Sequence, residues 1–182
     1  GLAVTTGVQN TLIGGLAGDA LTDADYNTAV GYSALTSDTL GSRSVAMGNG
    51  SLATQNFTTS TNAYNVALGY DAGNDLTTGV NNTLIGGLTG DALTDADHNL
   101  AVGQFALSSD TLGSRTVALG NNALSTQNFT TATDTYNVAV GYNAGTAVTT
   151  GTLNTLIGGL AGDALTAADS NTAIGYVALS SD

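Results

Sequence analysis

The side chains in this sequence that are best suited to chemistry are aspartates clustered at a recurring spacing. Asp91, Asp95 and Asp97 lie close together in the chain, and the same pattern occurs 72 positions earlier. Clustered carboxylate oxygens are ligands that Ca²⁺ prefers, so these three aspartates are candidate calcium ligands, and calcium is the one cofactor that the sequence raises. The alternative is that they form solvated turns, because their spacing matches neither an EF-hand loop nor a glycine-rich nonapeptide repeat.

No residue pattern predicts catalysis. A glycosidase needs one asymmetric pair of carboxyl groups, one of them with a raised pKa, whereas these aspartates are copied from repeat to repeat. The single histidine, His98, stands where the neighbouring repeats have Tyr26 and Ser170, so it occupies an exchangeable position and is not a catalytic base. We therefore predict that the chain is not an enzyme. A polysaccharide-degrading hydrolase, of the kind found on viral tailspikes, is the alternative.

The composition narrows the range of partners. The 182 residues carry a formal charge of −12, from fourteen acidic residues, all Asp, against Arg43 and Arg115. Such an acidic chain argues against nucleic acid and anionic membranes as partners. No apolar run approaches the roughly 18 residues of a membrane-spanning helix, so no membrane insertion is predicted. Lys and Glu are absent, and abundant Thr, Val, Asn and Gly favour strands and turns over helices.

A short phrase, Asn-x-Ala/Leu-aliphatic-Gly, recurs along the whole chain and sets its period. The phrase ends at ten glycines: Gly14, Gly31, Gly48, Gly69, Gly86, Gly103, Gly120, Gly141, Gly158 and Gly175. The position number rises by 17 from one glycine to the next, except for two steps of 21. Three short steps and one long step bring the pattern back 72 positions further on. The chain therefore has a rung of about 17 residues and a block of four rungs.

A rung this short has room for short strands and turns, and it cannot bury a core until rungs stack on each other. The sequence therefore predicts an all-β fold, a parallel β-solenoid that forms a single repeat segment over residues 1–182 of a longer chain. Eight of the ten phrases begin with Asn. Identical amides stacked on successive rungs predict a hydrogen-bonded ladder along the solenoid axis.

The strand in each rung is apolar on both faces. In the third rung Val45 and Met47 share one face, and Ala46 points to the other. One solenoid has a single interior, so the second face must be covered elsewhere. We predict that the face made mostly of Ala is covered by further copies of the same chain in a homo-oligomer. The alternative is that this face packs inside a wider single-chain roll.

The two arginines predict contacts between neighbouring rungs. Arg43 comes one position more than a rung after Asp25, and Arg115 stands in the same relation to Asp97. Rungs stacked about 4.8 Å apart bring each arginine near the aspartate of the rung before it. We predict inter-rung ion pairs Asp25–Arg43 and Asp97–Arg115, either within one chain or shared between protomers. The alternative is that both arginines bond to turn carbonyls.

The two long rungs each contain four extra residues, which must leave the rung as a loop. These loops carry Phe57, Tyr64, Phe129 and Tyr136, and insertions on one side of a repeat stack are often binding surfaces. The aromatic residues could contact a surface glycan, or they could pin the loop against its own rung or a neighbouring protomer. Ice binding is a further alternative function, and it would need Thr in fixed columns on one exposed strand.

Two kinds of known repeat share these phrases. The segment RSVAMGNGS at residues 43–51 resembles the head repeat of the YadA-type trimeric autotransporter adhesins, and YNVAVGYNAG and YNTAVGYSAL are similar to repeats of bacteriophage tail fibres. The resemblance covers nearly the whole chain and implies a left-handed parallel β-roll assembled as a trimer. It also implies a non-enzymatic shaft or head segment, extracellular on a virion fibre or a bacterial surface, that supports attachment to a host or surface.

Overall fold

A computed structural model describes residues 1–180, which form fourteen short β-strands and contain no helix. The strands are β1 (Thr11–Ile13), β2 (Thr28–Val30), β3 (Gly41–Ser42), β4 (Val45–Met47), β5 (Thr61–Asn62), β6 (Val66–Leu68), β7 (Thr83–Ile85), β8 (Leu100–Val102), β9 (Gly113–Ser114), β10 (Val117–Leu119), β11 (Thr133–Asp134), β12 (Val138–Val140), β13 (Thr155–Ile157) and β14 (Thr172–Ile174). Ten strands have three residues, one for each phrase, and the other four have two residues.

The ten three-residue strands stack into a single parallel sheet. The order of the sheet is β1-β2-β4-β6-β7-β8-β10-β12-β13-β14, so strands from successive rungs are always neighbours. Equivalent residues pair in register, as Ala29 does with Ala46. The predicted all-β parallel solenoid is confirmed, and the described residues make ten rungs. Their spacing along the chain is the one that the recurring glycines predicted.

Each of the ten three-residue strands ends just before the glycine of the recurring phrase, because the chain turns sharply there. Gly31 has a φ of 138°, and a Cβ at this position would collide with the carbonyl oxygen of Gly48 on the next rung. The same collision is repeated along the stack, up to the pair formed by Gly158 and Gly175. Glycine is therefore required both by the backbone conformation and by the space between rungs.

The column of Ala and Leu residues in the sheet faces the interior. Ala46 is fully buried, whereas its neighbour Met47 is 38% exposed. The prediction that other copies cover the Ala face is therefore wrong, and the alternative, in which this face packs inside a single chain, is confirmed. The face that remains outside is the one with the larger aliphatic side chains.

Side chains from the sheet and from the turn on the opposite wall together fill the interior of each rung. Where the sheet has Ala46, the facing turn supplies the buried side chain of Leu52. Where the sheet has Leu84, its two methyl groups occupy the spaces that a Cβ on Gly73 or Gly90 would need. A large residue on one wall is thus matched by a small one on the other, as a core of native density requires. This alternation repeats once in each four-rung block.

The Asn that begins a phrase is buried in most rungs and bonds to other rungs. Asn27 donates from Nδ2 to the carbonyl of Gly41 at 2.9 Å, and its Oδ1 accepts the backbone N–H of Ser44 at 2.8 Å. Direct bonds between amides also occur, for example from Nδ2 of Asn171 to Oδ1 of Asn154 at 3.0 Å. Hydrogen bonds from Asn to Asn along the axis are therefore present, but in most described rungs the Asn oxygen accepts a backbone N–H group, and the predicted amide-to-amide bonds form at few steps.

Candidate functional site

One exposed column of side chains runs beside the sheet and contains every basic side chain and the single histidine. It consists of the residue that precedes each phrase, and we call it the outer ladder: Gln9, Tyr26, Arg43, Tyr64, Asn81, His98, Arg115, Tyr136, Leu153 and Ser170. All ten residues have a left-handed backbone, with φ between 51° and 65°. Hydrogen bonds between rungs hold this conformation, as when the N–H of Arg43 donates to the carbonyl of Asp25 at 3.0 Å.

In the first block the outer ladder places an arginine between two tyrosines. The Cζ atom of Arg43 lies 4.6 Å from the ring centroid of Tyr26 and 5.9 Å from that of Tyr64, within the range of cation–π attraction. Its Nε donates to Oδ1 of Asn62 at 3.0 Å. Three neighbours therefore hold the guanidinium, and within residues 1–180 its two terminal nitrogens have no hydrogen-bond partner.

The second block repeats this arrangement with a different charge. Arg115 contacts Oδ1 of Asp134 through Nε at 3.0 Å, and Asp134 is the counterpart of Asn62. The hydrogen bond and charge of this carboxylate raise the pKa of Arg115. The first cluster thus carries a positive charge without a carboxylate beside it, whereas in the second cluster the charge of the arginine is balanced.

Both arginines have partners that differ from the predicted Asp25 and Asp97. Oδ1 of Asp25 accepts the backbone N–H of Val8 at 2.8 Å, and Asp97 makes the equivalent bond to Val80 at 2.7 Å. Each aspartate is therefore engaged by the rung before its own. The arginines turn to the rung after theirs, where the inserted segment supplies an Asn or Asp.

The four extra residues of each long rung bring that Asn or Asp to the outer ladder. They let the chain return as a short strand, β5 or β11, which pairs in parallel with β3 or β9. In this register Ser42 lies beside Asn62. Arg43 follows Ser42 directly, so its side chain reaches the amide of Asn62.

The four aromatic residues predicted as binding loops fall into two pairs. Phe57 and Phe129 are only 6% and 7% exposed, and they anchor the inserted segment to the preceding rung, where Phe57 lies beside Gly41 and each backbone N–H donates to an aspartate. Tyr64 and Tyr136 are about half exposed and belong to the outer ladder. Of the four, only the tyrosines are open to a ligand.

The three candidate calcium ligands make separate contacts. Oδ1 of Asp95 accepts a threonine hydroxyl at 2.7 Å, and Asp97 is bonded to the previous rung. Oδ1 of Asp91 is buried without a hydrogen-bond partner, and burial, with the nearby charges of Asp75 and Asp71, raises the pKa of this carboxyl. Among the residues that the structure describes, no three acidic or histidine side chains are placed to hold one metal ion. Calcium binding stays a prediction.

A buried chain of polar side chains that we did not predict from the sequence joins each long rung to the rungs on either side of it. Nε2 of Gln55 donates to Oδ2 of Asp38 at 2.6 Å, and Oε1 of Gln55 accepts from Nδ2 of Asn65 at 2.9 Å. The other carboxylate oxygen of Asp38 accepts the N–H groups of Gly41 and Phe57. Desolvation raises the pKa of Asp38, against the lowering effect of these hydrogen bonds. We call this group the buried relay.

A signal for the buried relay was present in the sequence. Asp38 and Gln55 occupy the core column in which the adjoining rungs have Leu21 and Leu76. Aligning the rungs with each other shows two polar residues in an apolar column. The second block repeats the substitution with Asp110 and Gln127, and those side chains bond at 2.6 Å.

The outward face of the ten-stranded sheet is apolar along its length. The third residue of every strand is aliphatic, and several are well exposed, including Ile13, Leu68 and Ile174. The first residue is Thr in five strands and Val or Leu in the other five, so threonines form no continuous column. Within residues 1–180 no helix is long and apolar enough to span a membrane.

The outer ladder and the outward face of the sheet are therefore the two surfaces that present exposed groups for binding. The first offers exposed aromatic and cationic groups, and the second offers an uncharged apolar strip. Comparison of the chain with protein-family models, curated proteins and solved structures finds no match.

Proposed function

We propose that this chain is a non-enzymatic structural segment, a shaft or head, of an extracellular fibre on a phage tail or a bacterial surface. Its role is to support attachment to a host or surface by holding binding groups away from the particle or cell. In this proposal the solenoid is a left-handed β-roll and assembles as a homotrimer, as the resemblance to adhesin heads and tail-fibre repeats implies. The proposal also makes the chain one segment of a longer fibre protein.

The observation that carries the proposal is the apolar outward face of the sheet. Met47 and Leu68, on adjacent strands near the middle of the stack, are 38% and 43% exposed. Nine steps between ten rungs extend this strip over about 43 Å. A continuous exposed apolar strip of this length is typical of a surface that binds another protein.

A second copy of the same chain is the partner that fits this face best. The outward strand positions are Thr, Val, Leu, Ile or Met throughout, so copies can approach without burying any of the net charge of −12. Copies also share the same rung spacing, which lets their side chains interdigitate over the whole length. Closed rotational symmetry then covers the strip on every protomer.

Attachment to glycans is compatible with this structural role. The half-exposed Tyr64 and Tyr136 of the outer ladder lie outside the apolar strip, so oligomerisation and ligand binding would use different surfaces. Each rung adds another ladder position, and repetition of weak sites along a fibre raises the overall avidity.

The test is the oligomeric state of the chain and of two variants. Sedimentation equilibrium should give a trimer at micromolar concentration. Met47→Asp combined with Leu119→Asp should weaken association about 100-fold or more, because two charges would enter the apolar interface. Thr59→Asp, in the exposed inserted loop, is the matched control and should leave the trimer intact. A folded wild-type monomer at this concentration would contradict the proposal.

A further inference from the structure

We propose that Tyr26, Arg43 and Tyr64 form a binding site for a sugar that carries a carboxylate, such as a single uronic acid residue of a surface glycan. The inference rests on the proposed attachment function and names the ligand class for it. The site lies on the first block, and its copy on the second block is blocked by an internal carboxylate.

The guanidinium of Arg43 is ordered before any ligand arrives. Tyr26 and Tyr64 flank it, with ring centroids 4.6 and 5.9 Å from Cζ, and Asn62 fixes Nε at 3.0 Å. A free arginine loses side-chain entropy when it binds, whereas this one has already lost much of it on folding. The site is therefore preorganised for a ligand.

The groups left open on Arg43 match a carboxylate. The Nε is used by Asn62, and the terminal nitrogens are without a partner within residues 1–180. Guanidinium N–H groups bind a carboxylate through two parallel hydrogen bonds, which is the strongest contact that arginine makes with a side-chain-sized anion. Asn62 is neutral, and within residues 1–180 no carboxylate forms an ion pair with Arg43.

The two tyrosines favour a sugar over other anions. Tyr26 is 47% exposed and Tyr64 is 51% exposed, so each tyrosine leaves its hydroxyl and the part of its ring not covered by Arg43 open to a ligand. The C–H face of a pyranose can pack on such a ring while its hydroxyl groups bond to the phenol. No enclosed pocket is found in the described residues, and an open ladder suits an extended polysaccharide better than a compact metabolite.

In the second block the charge of the corresponding arginine is balanced by a carboxylate of the same chain. Asp134 replaces Asn62 and contacts Nε of Arg115 at 3.0 Å, and His98 replaces Tyr26. A ligand carboxylate at Arg115 would face the carboxylate of Asp134. The second block therefore differs from the proposed site at two positions, the internal carboxylate and one of the flanking aromatic residues.

The experiment measures binding of trigalacturonate by NMR titration of the assembled chain. Its methyl ester, which keeps the rings and removes the charges, is the control ligand, and triglutamate is the control anion. Wild type should bind trigalacturonate with a Kd on the order of 1 mM and should bind the other two at least tenfold more weakly. Arg43→Gln should weaken binding at least tenfold, whereas Arg115→Gln should change it less than twofold.

Arg43→Gln and Arg115→Gln each remove one positive charge from the same kind of backbone position. Gln is compatible with this left-handed backbone, because Gln9 already occupies the equivalent position before the first phrase. Two further variants test the role of the internal carboxylate. Asn62→Asp should abolish binding at the first block, and Asp134→Asn combined with His98→Tyr should create binding at the second, with shifts centred on Arg115.

Three results would overturn the inference. They are equal losses in the two Gln variants, equal binding of the methyl ester, and equal binding of triglutamate, which would indicate a site for acidic peptides. Sedimentation of the Arg43→Gln variant distinguishes failure of the sugar site from failure of the proposed fibre function. An intact trimer that does not bind the sugar would contradict only the proposed sugar site. A wild-type monomer would contradict the proposed fibre function, whatever the result of the titration.

Discussion

The first block, residues 10–81, and the second block, residues 82–153, have the same backbone plan and differ at 21 of 72 positions. On the surface, Asn62 becomes Asp134, which converts a cluster with a free positive charge into an ion pair. In both blocks the inserted segment contacts Nε of the arginine, and in the first block Arg43 also lies between two tyrosine rings. The stacked rungs therefore fix where a side chain stands, and single substitutions then set its charge.

The buried relays of the two blocks differ in a second way. In the first block Nε2 of Gln55 donates to the hydroxyl of Ser44 at 3.0 Å. In the second block Nε2 of Gln127 donates in the same way to Thr116 at 3.2 Å. Thr116 also makes a 2.7 Å hydroxyl–hydroxyl bond to Thr135, where the first block has Ala63. The aspartate and glutamine are unchanged, so these two residues are the part of the relay that the fold requires.

The largest expected effect is loss of the relay carboxylate. Asp38→Ala and Asp110→Ala each remove the acceptor of two backbone N–H groups and a glutamine amide inside the solenoid. We expect each variant to lose about 3 kcal/mol of unfolding free energy, because buried donors without acceptors cost about 1–3 kcal/mol each and the rung can relax in part. Chemical denaturation measures the loss.

Asp75→Ala, at an exposed position, is the control for that experiment and should change the unfolding free energy little. Similar losses in both blocks would show that the aspartate, rather than the surrounding hydroxyl groups, holds the inserted segment. A loss confined to one block would show that the two relays are not equivalent.

A smaller effect is expected from pH. The pKa values of Asp38 and Asp91 are raised above their ordinary value of 3.8, so the folded chain binds protons more tightly at these groups than the unfolded chain does. Their contribution to stability therefore increases as pH falls from neutral through the raised pKa values, and decreases as pH rises. Thermal melting should show a higher melting temperature at about pH 5 than at about pH 7.

Asp75→Asn separates this effect from a general relief of negative charge. The charge of Asp75 contributes to the raised pKa of Asp91, so the variant should show a smaller rise in melting temperature on acidification. A melting temperature that falls steadily from neutral pH would contradict the prediction.

The smallest effect is expected from exchanging the surface charges of the two blocks. Asn62→Asp should give Arg43 an ion pair, and Asp134→Asn should remove the one at Arg115. Both sites are exposed, and exposed ion pairs contribute little to stability. Melting temperatures should therefore match the wild type within error, and the consequence should be confined to ligand binding. A loss as large as that of Asp38→Ala would mean that the outer ladder is part of the core.

Several features followed from the rungs alone. The ten strands, the parallel register and the buried Asn ladder were predictable because a repeated phrase at a constant interval places equivalent residues beside each other. The partners of Arg43 and Arg115 were not predictable in the same way. Each arginine has a neighbour on the rung before and on the rung after, and the choice depends on how the four inserted residues fold back.

The period, the strand positions and the glycine turns could be read from the amino acids alone, since they depend on local spacing and on backbone conformations that few residues adopt. Which face of the sheet is inside became clear only in the folded chain. Val45, Ala46 and Met47 are all apolar, so alternation along the strand assigns them to two faces but does not show which face is buried. The space inside the closed rung decides which face is buried. Leu52 fills the space opposite Ala46, so a side chain larger than Ala does not fit at position 46.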